Sequence, residues 1–188
     1  MTNFGDRHGG VDLGVEAGGL YGEGADGSTF HARLPFELTY AGTAEAAAFA
    51  ADIARPSDWG LLLVRKGGFA VARLAGEQLV ESKVGQRHVQ GRTKAGGQSQ
   101  QRFARRRSNQ ARQAYEAAAD HAARILGTGT PLLVTGGDHA AVQEVLADPR
   151  LRHVDVVPPW LPVADPRRSV LEQAIQDAAS AAVEVLNA

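Results

Sequence analysis

Gly96, Gly97 and Gln98 are adjacent and of types that could do chemistry without a titrating side chain. Glycines let the backbone take positive φ and approach another surface closely. The Gln98 amide cannot act as a general base, but it donates and accepts hydrogen bonds and so could orient a water molecule. If a helix begins there, its backbone N–H is an unpaired donor that could stabilise an oxyanion. A bare Gly-Gly-Gln tripeptide fits a flexible glycine hinge followed by an incidental glutamine far better. Its surroundings have to decide.

Those surroundings are basic. From Lys83 to Arg112 the chain holds nine of its twenty Lys and Arg and none of its twenty-one acids. The remainder, with eleven basic and twenty-one acidic residues, carries a net charge near −10 that the overall −1 conceals. An acidic body with one concentrated basic element steers toward a polyanion, and phosphate-rich nucleic acid fits best. A solvated helix face would interleave both signs. Arg92, Lys94, Arg102, Arg105, Arg106 and Arg107 are the candidate phosphate-binding residues.

Conventional catalytic equipment is missing. The absence of cysteine excludes disulfides, thiolate metal sites and cysteine nucleophiles, and fits a reducing cytoplasm. The histidines, His8, His31, His88, His121, His139 and His153, show no metal-ligand spacing, and no GxSxG elbow occurs. The acids are scattered, with no spacing that nominates a metal-holding cluster, so neither metal nor cofactor is expected. Gly136-Gly137-Asp138 has neither the Walker nor the dinucleotide spacing and reads as a turn into a helix capped by Asp138. The first ten residues lack the apolar run of a signal peptide, and no stretch reaches transmembrane length. The expected location is cytoplasmic, with no membrane partner.

The positioning elements follow from pattern. At 188 residues the chain is one domain, or one with a small appendage. Residues 1–42, punctuated by glycines, read as a subsidiary β-layer or arm, and residues 43–188 as the main domain. Thr43 is placed to cap a helix through Arg55, with Phe49 and Ile53 facing inward. Trp59 to Val89 reads as three antiparallel strands joined by hairpins. A central helix is expected from Ser99, as its N-cap, to Leu126, with Gly127 as its stop. Phe103, Ala111, Ala114, Tyr115, Ala118, Ala122, Ile125 and Leu126 form its apolar stripe, largely away from Arg102, Arg105, Arg106 and Arg112. Pro131 to Thr135 and Val154 to Val157 read as strands, and Pro158, Pro159 and Pro162 as a stiff connection. Asp165-Pro166 should start a last helix whose apolar face runs through Leu171 and Ile175 to Val185 and Leu186. This order specifies an α/β fold, a mixed sheet flanked by helices.

The run GGQSQQRFARRR, Gly96 to Arg107, resembles the central domain of the eukaryotic and archaeal class 1 peptide chain release factors. Gly96, Gly97, Gln98, Ser99, Arg102, Phe103, Ala104, Arg105 and Arg107 match without a gap, and Arg92-Thr93-Lys94 and Leu132 to Val142 add to the likeness. It is similar in particular to the small bacterial members of the Vms-like release factor group, peptidyl-tRNA hydrolases of ribosome rescue. The likeness spans roughly Trp59 to Val156. It implies a ribonuclease H-like topology and hydrolysis of the ester between nascent peptide and tRNA. Gly96 and Gly97 would thread the loop into the peptidyl transferase centre, and Gln98 would position the attacking water. The basic residues would hold rRNA of the large ribosomal subunit and peptidyl-tRNA. The codon-reading and partner-binding domains of termination factors have no counterpart, which points to rescue of stalled ribosomes or large subunits. Two alternatives stand beside this. One is cleavage of the tRNA strand near its 3′ end, with Gln100 or Gln101 as substitutes for Gln98, and the other is a non-catalytic ribosome-binding or RNA-binding module.

Overall fold

The computed structural model describes residues 2–86 and 98–188, with side chains over 3–86 and 112–188. In chain order the helices are α1 (Thr2–Arg7), α2 (Ala46–Ala51), α3 (Gln98–Leu126), α4 (His139–Leu146) and α5 (Arg168–Ala178). The strands are β1 (Val11–Glu16), β2 (Gly19–Gly24), β3 (Thr29–Arg33), β4 (Trp59–Arg65), β5 (Gly68–Ala75), β6 (Gln78–Gln86), β7 (Leu132–Gly137), β8 (Asp155–Leu161) and β9 (Ala182–Leu186). They form two units: Met1–Arg55 together with Ala178–Ala188, and Pro56–Asp177. The smaller compact unit therefore runs to Arg55 and includes the end of the chain.

The smaller unit is an antiparallel sheet in the order β1-β2-β3-β9. Ala17 and Gly18, both at positive φ (47° and 72°), join β1 to β2. That is the hairpin turn whose twist matches paired strands. Leu20, Phe30, Ala32, Leu34, Tyr40 and Phe49 form the core, with Tyr40 edge-on to Phe49 at 5.0 Å. Two expectations fail here. The helix through Arg55 is the short α2, whose N-cap Glu45 makes no side-chain cap bond, and Ile53 lies beyond it, 38% exposed. The last helix stops at Ala178, and Val185 and Leu186, expected on its apolar face, belong to β9. The segment Val183-Glu184-Val185 alternates with period two and carries β-branched residues, so the open edge of β3 captures it.

The larger unit is a mixed sheet ordered β6-β5-β4-β7-β8, with β5 antiparallel to its neighbours and β4, β7 and β8 parallel. All of β4 from Trp59 to Val64 is buried, as a strand covered on both faces requires. One face, with Leu62, Val64, Phe69 and Val71, packs against Ala118, Ala122, Ile125 and Leu126 of α3 and Val142 and Val145 of α4. On the other face, Ser82 of β6, in register with Ala72, accepts a 2.9 Å bond from Arg168 of α5. The α/β architecture is therefore a mixed sheet flanked by helices. The strand expected to end at Val157 continues through Pro158 and Pro159 to Leu161. It lies at the sheet edge, where a missing N–H is tolerated.

Gly127, at φ 55°, ends α3, and the Thr130 hydroxyl donates to the Leu126 carbonyl at 2.6 Å. The close approach of α3 to the sheet is made at Gly60, where an added Cβ would stand 2.5 Å from Leu126 Cδ2 and 3.1 Å from Leu133 Cδ1. Gly60→Val should therefore destabilise the larger unit by about 1–3 kcal/mol, the usual cost of overpacking. Chemical denaturation followed by tryptophan fluorescence, through buried Trp59, measures it.

Candidate nucleic-acid interface

Helix α3 is too long for the sheet that holds it. Its 29 residues span about 43 Å at 1.5 Å each. The nine residues of β6, the longest strand of that sheet, span about 30 Å. The anchor lies at the carboxyl half of the helix. Leu126 sits beside Gly60 at the start of β4, and the His121 ring stacks on Phe69 at 5.5 Å, opposite Val64 near the end of β4. Within those few residues the helix has crossed the sheet. From His121 back to Gln98 it continues for about 34 Å. The amino half therefore overhangs the sheet at the end where β4, β6, β7 and β8 finish.

The predicted residues fall on this overhang or just before it. Arg92, Lys94, Gly96 and Gly97 lie outside the described residues, as does the strand expected to extend to Val89. Gln98 is the first residue of α3, Gln100 and Gln101 share its first turn, and Arg102, Arg105, Arg106 and Arg107 lie in the second and third turns. Ser99, expected as the N-cap, is inside the helix. The side chains of these residues, with Phe103 and Ala111 of the expected stripe, lie outside the described ones. Further along, the stripe is as expected, with Ala114 and Tyr115 half-buried and Ala118, Ala122, Ile125 and Leu126 buried. Ala119 joins it.

Charged side chains brace the anchored half. Arg124 donates to Glu81 of β6 at 2.6 Å. Arg150 bridges Asp120 of α3 at 2.7 Å and Asp148 at 2.6 Å. The hydrogen bonds from the Arg150 side chain and backbone pull the Asp148 carboxyl down to about 2, and the same contacts hold the guanidinium proton more tightly. Arg112, the last residue of the basic run, pairs with Glu116 at 3.6 Å. Arg112, Glu116, Asp120, Glu144, Asp148 and Arg150 line a hollow of about 260 Å³. In the body, then, bases stand beside acids. Between Lys83 and Arg112 the sequence supplies no acid to do the same.

Around the carboxyl ends of the strands, the Gly136-Gly137-Asp138 turn is structural, as expected. Asp138 accepts from the Ala140 and Ala141 N–H groups at 3.0 and 3.3 Å. A Cβ on Gly137 would stand 2.3 Å from the Val64 carbonyl oxygen. Burial, then the charges of Asp138 and Glu144, push the Tyr115 hydroxyl pKa up. Arg65, the last residue of β4, donates to the Val163 carbonyl at 2.7 Å. Sequence reasoning missed the exposed His139 ring, which lies flat on half-buried Trp160 at 3.5 Å. Nothing local in either residue predicts the pair, because it is made by α4 and β8 meeting at one end of the sheet. Among the described residues no group of His, Asp and Glu could hold a metal ion, and no helix is long and apolar enough to cross a membrane.

The larger unit is thus a mixed α/β sheet flanked by helices, one of which, α3, begins in a basic stretch of sequence. A family model described as the Actinobacteria/chloroflexi VLRF1 release factor matches residues 57–184, about two thirds of the chain, from the start of β4 into β9. The protein belongs to this VLRF1 release factor family. No curated protein matches its sequence. Membership points to a ribosome-related role in peptide release or rescue.

The brace on α3 is open to titration. Arg150→Ala should raise the Asp148 midpoint from about 2 toward the ordinary 3.8. Because the folded state depresses this pKa, its contribution to stability is fully present above the ordinary value and is lost as pH falls through about 2. Carboxyl chemical shifts followed by NMR across acid pH give both midpoints.

Proposed function

We propose that the protein hydrolyses the ester joining a nascent peptide to the terminal adenosine of tRNA, on stalled ribosomes or free large subunits, without reading a codon. The observation that carries the reading is the overhang: α3 begins at Gln98, about 26 Å along the helix from Tyr115, which packs against the core. That reach suits a probe for a deep RNA-lined cavity. By the resemblance, Gly96 and Gly97 bring bare backbone close to the tRNA end, and Gln98 holds the water. Water adds to the ester carbonyl, the backbone N–H at Gln98 stabilises the oxyanion, and the tRNA 3′ oxygen leaves with a proton. The gain comes from placement and charge stabilisation. Arg92, Lys94, Arg102, Arg105, Arg106 and Arg107 hold rRNA and tRNA phosphates. The strand order of the larger unit supports the ribonuclease H-like topology that the resemblance implies, and the cysteine-free composition supports a cytoplasmic location.

Gln100 shares the first turn of α3 with Gln98, which keeps strand cleavage near the tRNA 3′ end as a second reading. Purified wild type and Gln98→Ala, incubated with ribosome-bound peptidyl-tRNA, distinguish the two when peptide and tRNA 3′ end are both resolved. Ester hydrolysis predicts release with an intact CCA end, slowed about a hundredfold or more in Gln98→Ala. A shortened tRNA transfers the assignment to strand cleavage, and loss of activity only in Gln100→Ala transfers the role of Gln98 to Gln100. Silence of the wild type with intact binding leaves the docking module. Reversing Arg105 and Arg106 together to Glu should weaken ribosome binding and reduce its logarithmic salt slope by about 2, read by sedimentation across a salt series.

A further inference from the structure

The smaller unit ends in an open sheet edge. Among the described residues β9 pairs only with β3, leaving its other side as the edge of the sheet. Natural edges are blunted by charged side chains, lysine above all, and by proline, bulges or brevity. Strand β9 has five residues and one charge, Glu184, but no lysine or proline, and it pairs with β3 in unbroken register. Its apolar residues are also uncovered: Val183 is 53% exposed, Val185 48% and Leu186 72%.

Charge selects what could cover it. Residues 1–55 and 178–188 carry three arginines, no lysine and nine acids, a net charge of −6. Glu184, at the centre of β9, is held only loosely by Arg33 at 3.8 Å, and both side chains are more than half exposed. Glu184 and Leu186 also line a hollow of about 530 Å³ with Glu16, Tyr21 and His31. A nucleic acid would be repelled. A second copy pairing antiparallel about Glu184 would set two carboxylates opposite each other, which is destabilising.

We propose that β9 is the docking edge for an extended basic segment of a partner protein, added as a fifth strand. Backbone hydrogen bonds along the open edge would supply affinity, and alternate side chains would supply specificity. The register defines the guest: a Lys or Arg opposite Glu184, flanked by apolar residues opposite Val183 and Val185. The basic side chain would face the hollow. This surface is independent of the chemistry assigned to Gln98.

The probe is a fluorescent peptide, Lys-Thr-Val-Lys-Val-Thr-Lys, titrated with the full chain by anisotropy. It should bind saturably, and Glu184→Lys should weaken it at least about tenfold, or 1.4 kcal/mol, with an unchanged thermal midpoint. A peptide with Glu as its central residue should reverse that preference. Methylating alternate backbone nitrogens, which leaves charge and side chains intact, should abolish binding. Equal binding of the methylated peptide would reduce the effect to electrostatics and overturn the proposal. So would no saturable binding at about 1 mM peptide, or a protein dimer in sedimentation that Glu184→Lys disperses.

Discussion

Everything at the basic end of this protein depends on how firmly the carboxyl half of α3 is held. Ala118, Ala122, Ile125 and Leu126 are buried against Leu62, Val71 and Leu133. Gly60 removes a side chain where the helix comes nearest. Small residues on the helix and large ones on the sheet bring the axis close, and Arg124 and Arg150 tie it laterally. An isolated helix shorter than about 12–15 residues is marginal in water because nucleation is unfavourable. Packing supplies that nucleus here. The Gln, Arg and Ala residues upstream, uninterrupted by glycine or proline from Gln98, then only have to propagate it.

This arrangement separates charge as well as mechanical role. The body matches many of its own charges at short range: Arg73 with Asp58 at 3.0 Å, Arg124 with Glu81 at 2.6 Å, Arg168 with Glu172 at 2.8 Å. Exposed pairs of this kind contribute about 0–1 kcal/mol each, so their effect on stability is small. Their larger effect is on the field. Net positive charge concentrated in one sequence run would keep any attraction for a polyanion at one place, while surplus acid elsewhere repels it.

Much of the fold was legible because the decisive signals were local. The three strands from Trp59, the stop at Gly127 and the Asp138 cap each rest on a few neighbouring residues, and the structure forms them. The failures share a different cause. Ala182–Leu186 satisfies both a helical stripe and a strand alternation, and an open β3 edge more than a hundred residues away decides between them. Pro158 and Pro159 look like a linker until β8 is known to be an edge strand. Thr43 has the chemistry of a cap, but the helix begins later, at Ala46. Tertiary partners settled each of these cases.

The candidate site rests on residue order alone, for another reason. A glutamine has no ionisation for its surroundings to shift, so a mechanism built on Gln98 leaves no titration signature. The carboxyls that are displaced, Asp26 and Asp148, both down to about 2, are explained by structural contacts: Asp26 by its bond with His8, Asp148 by Arg150. Perturbed acids mark the sites of enzymes that move protons through side chains. Here they mark a hairpin end and a helix brace. The chemistry proposed for this chain, the placing of an uncharged amide and glycine backbone where a basic helix begins, rests on the order of residue types in that stretch.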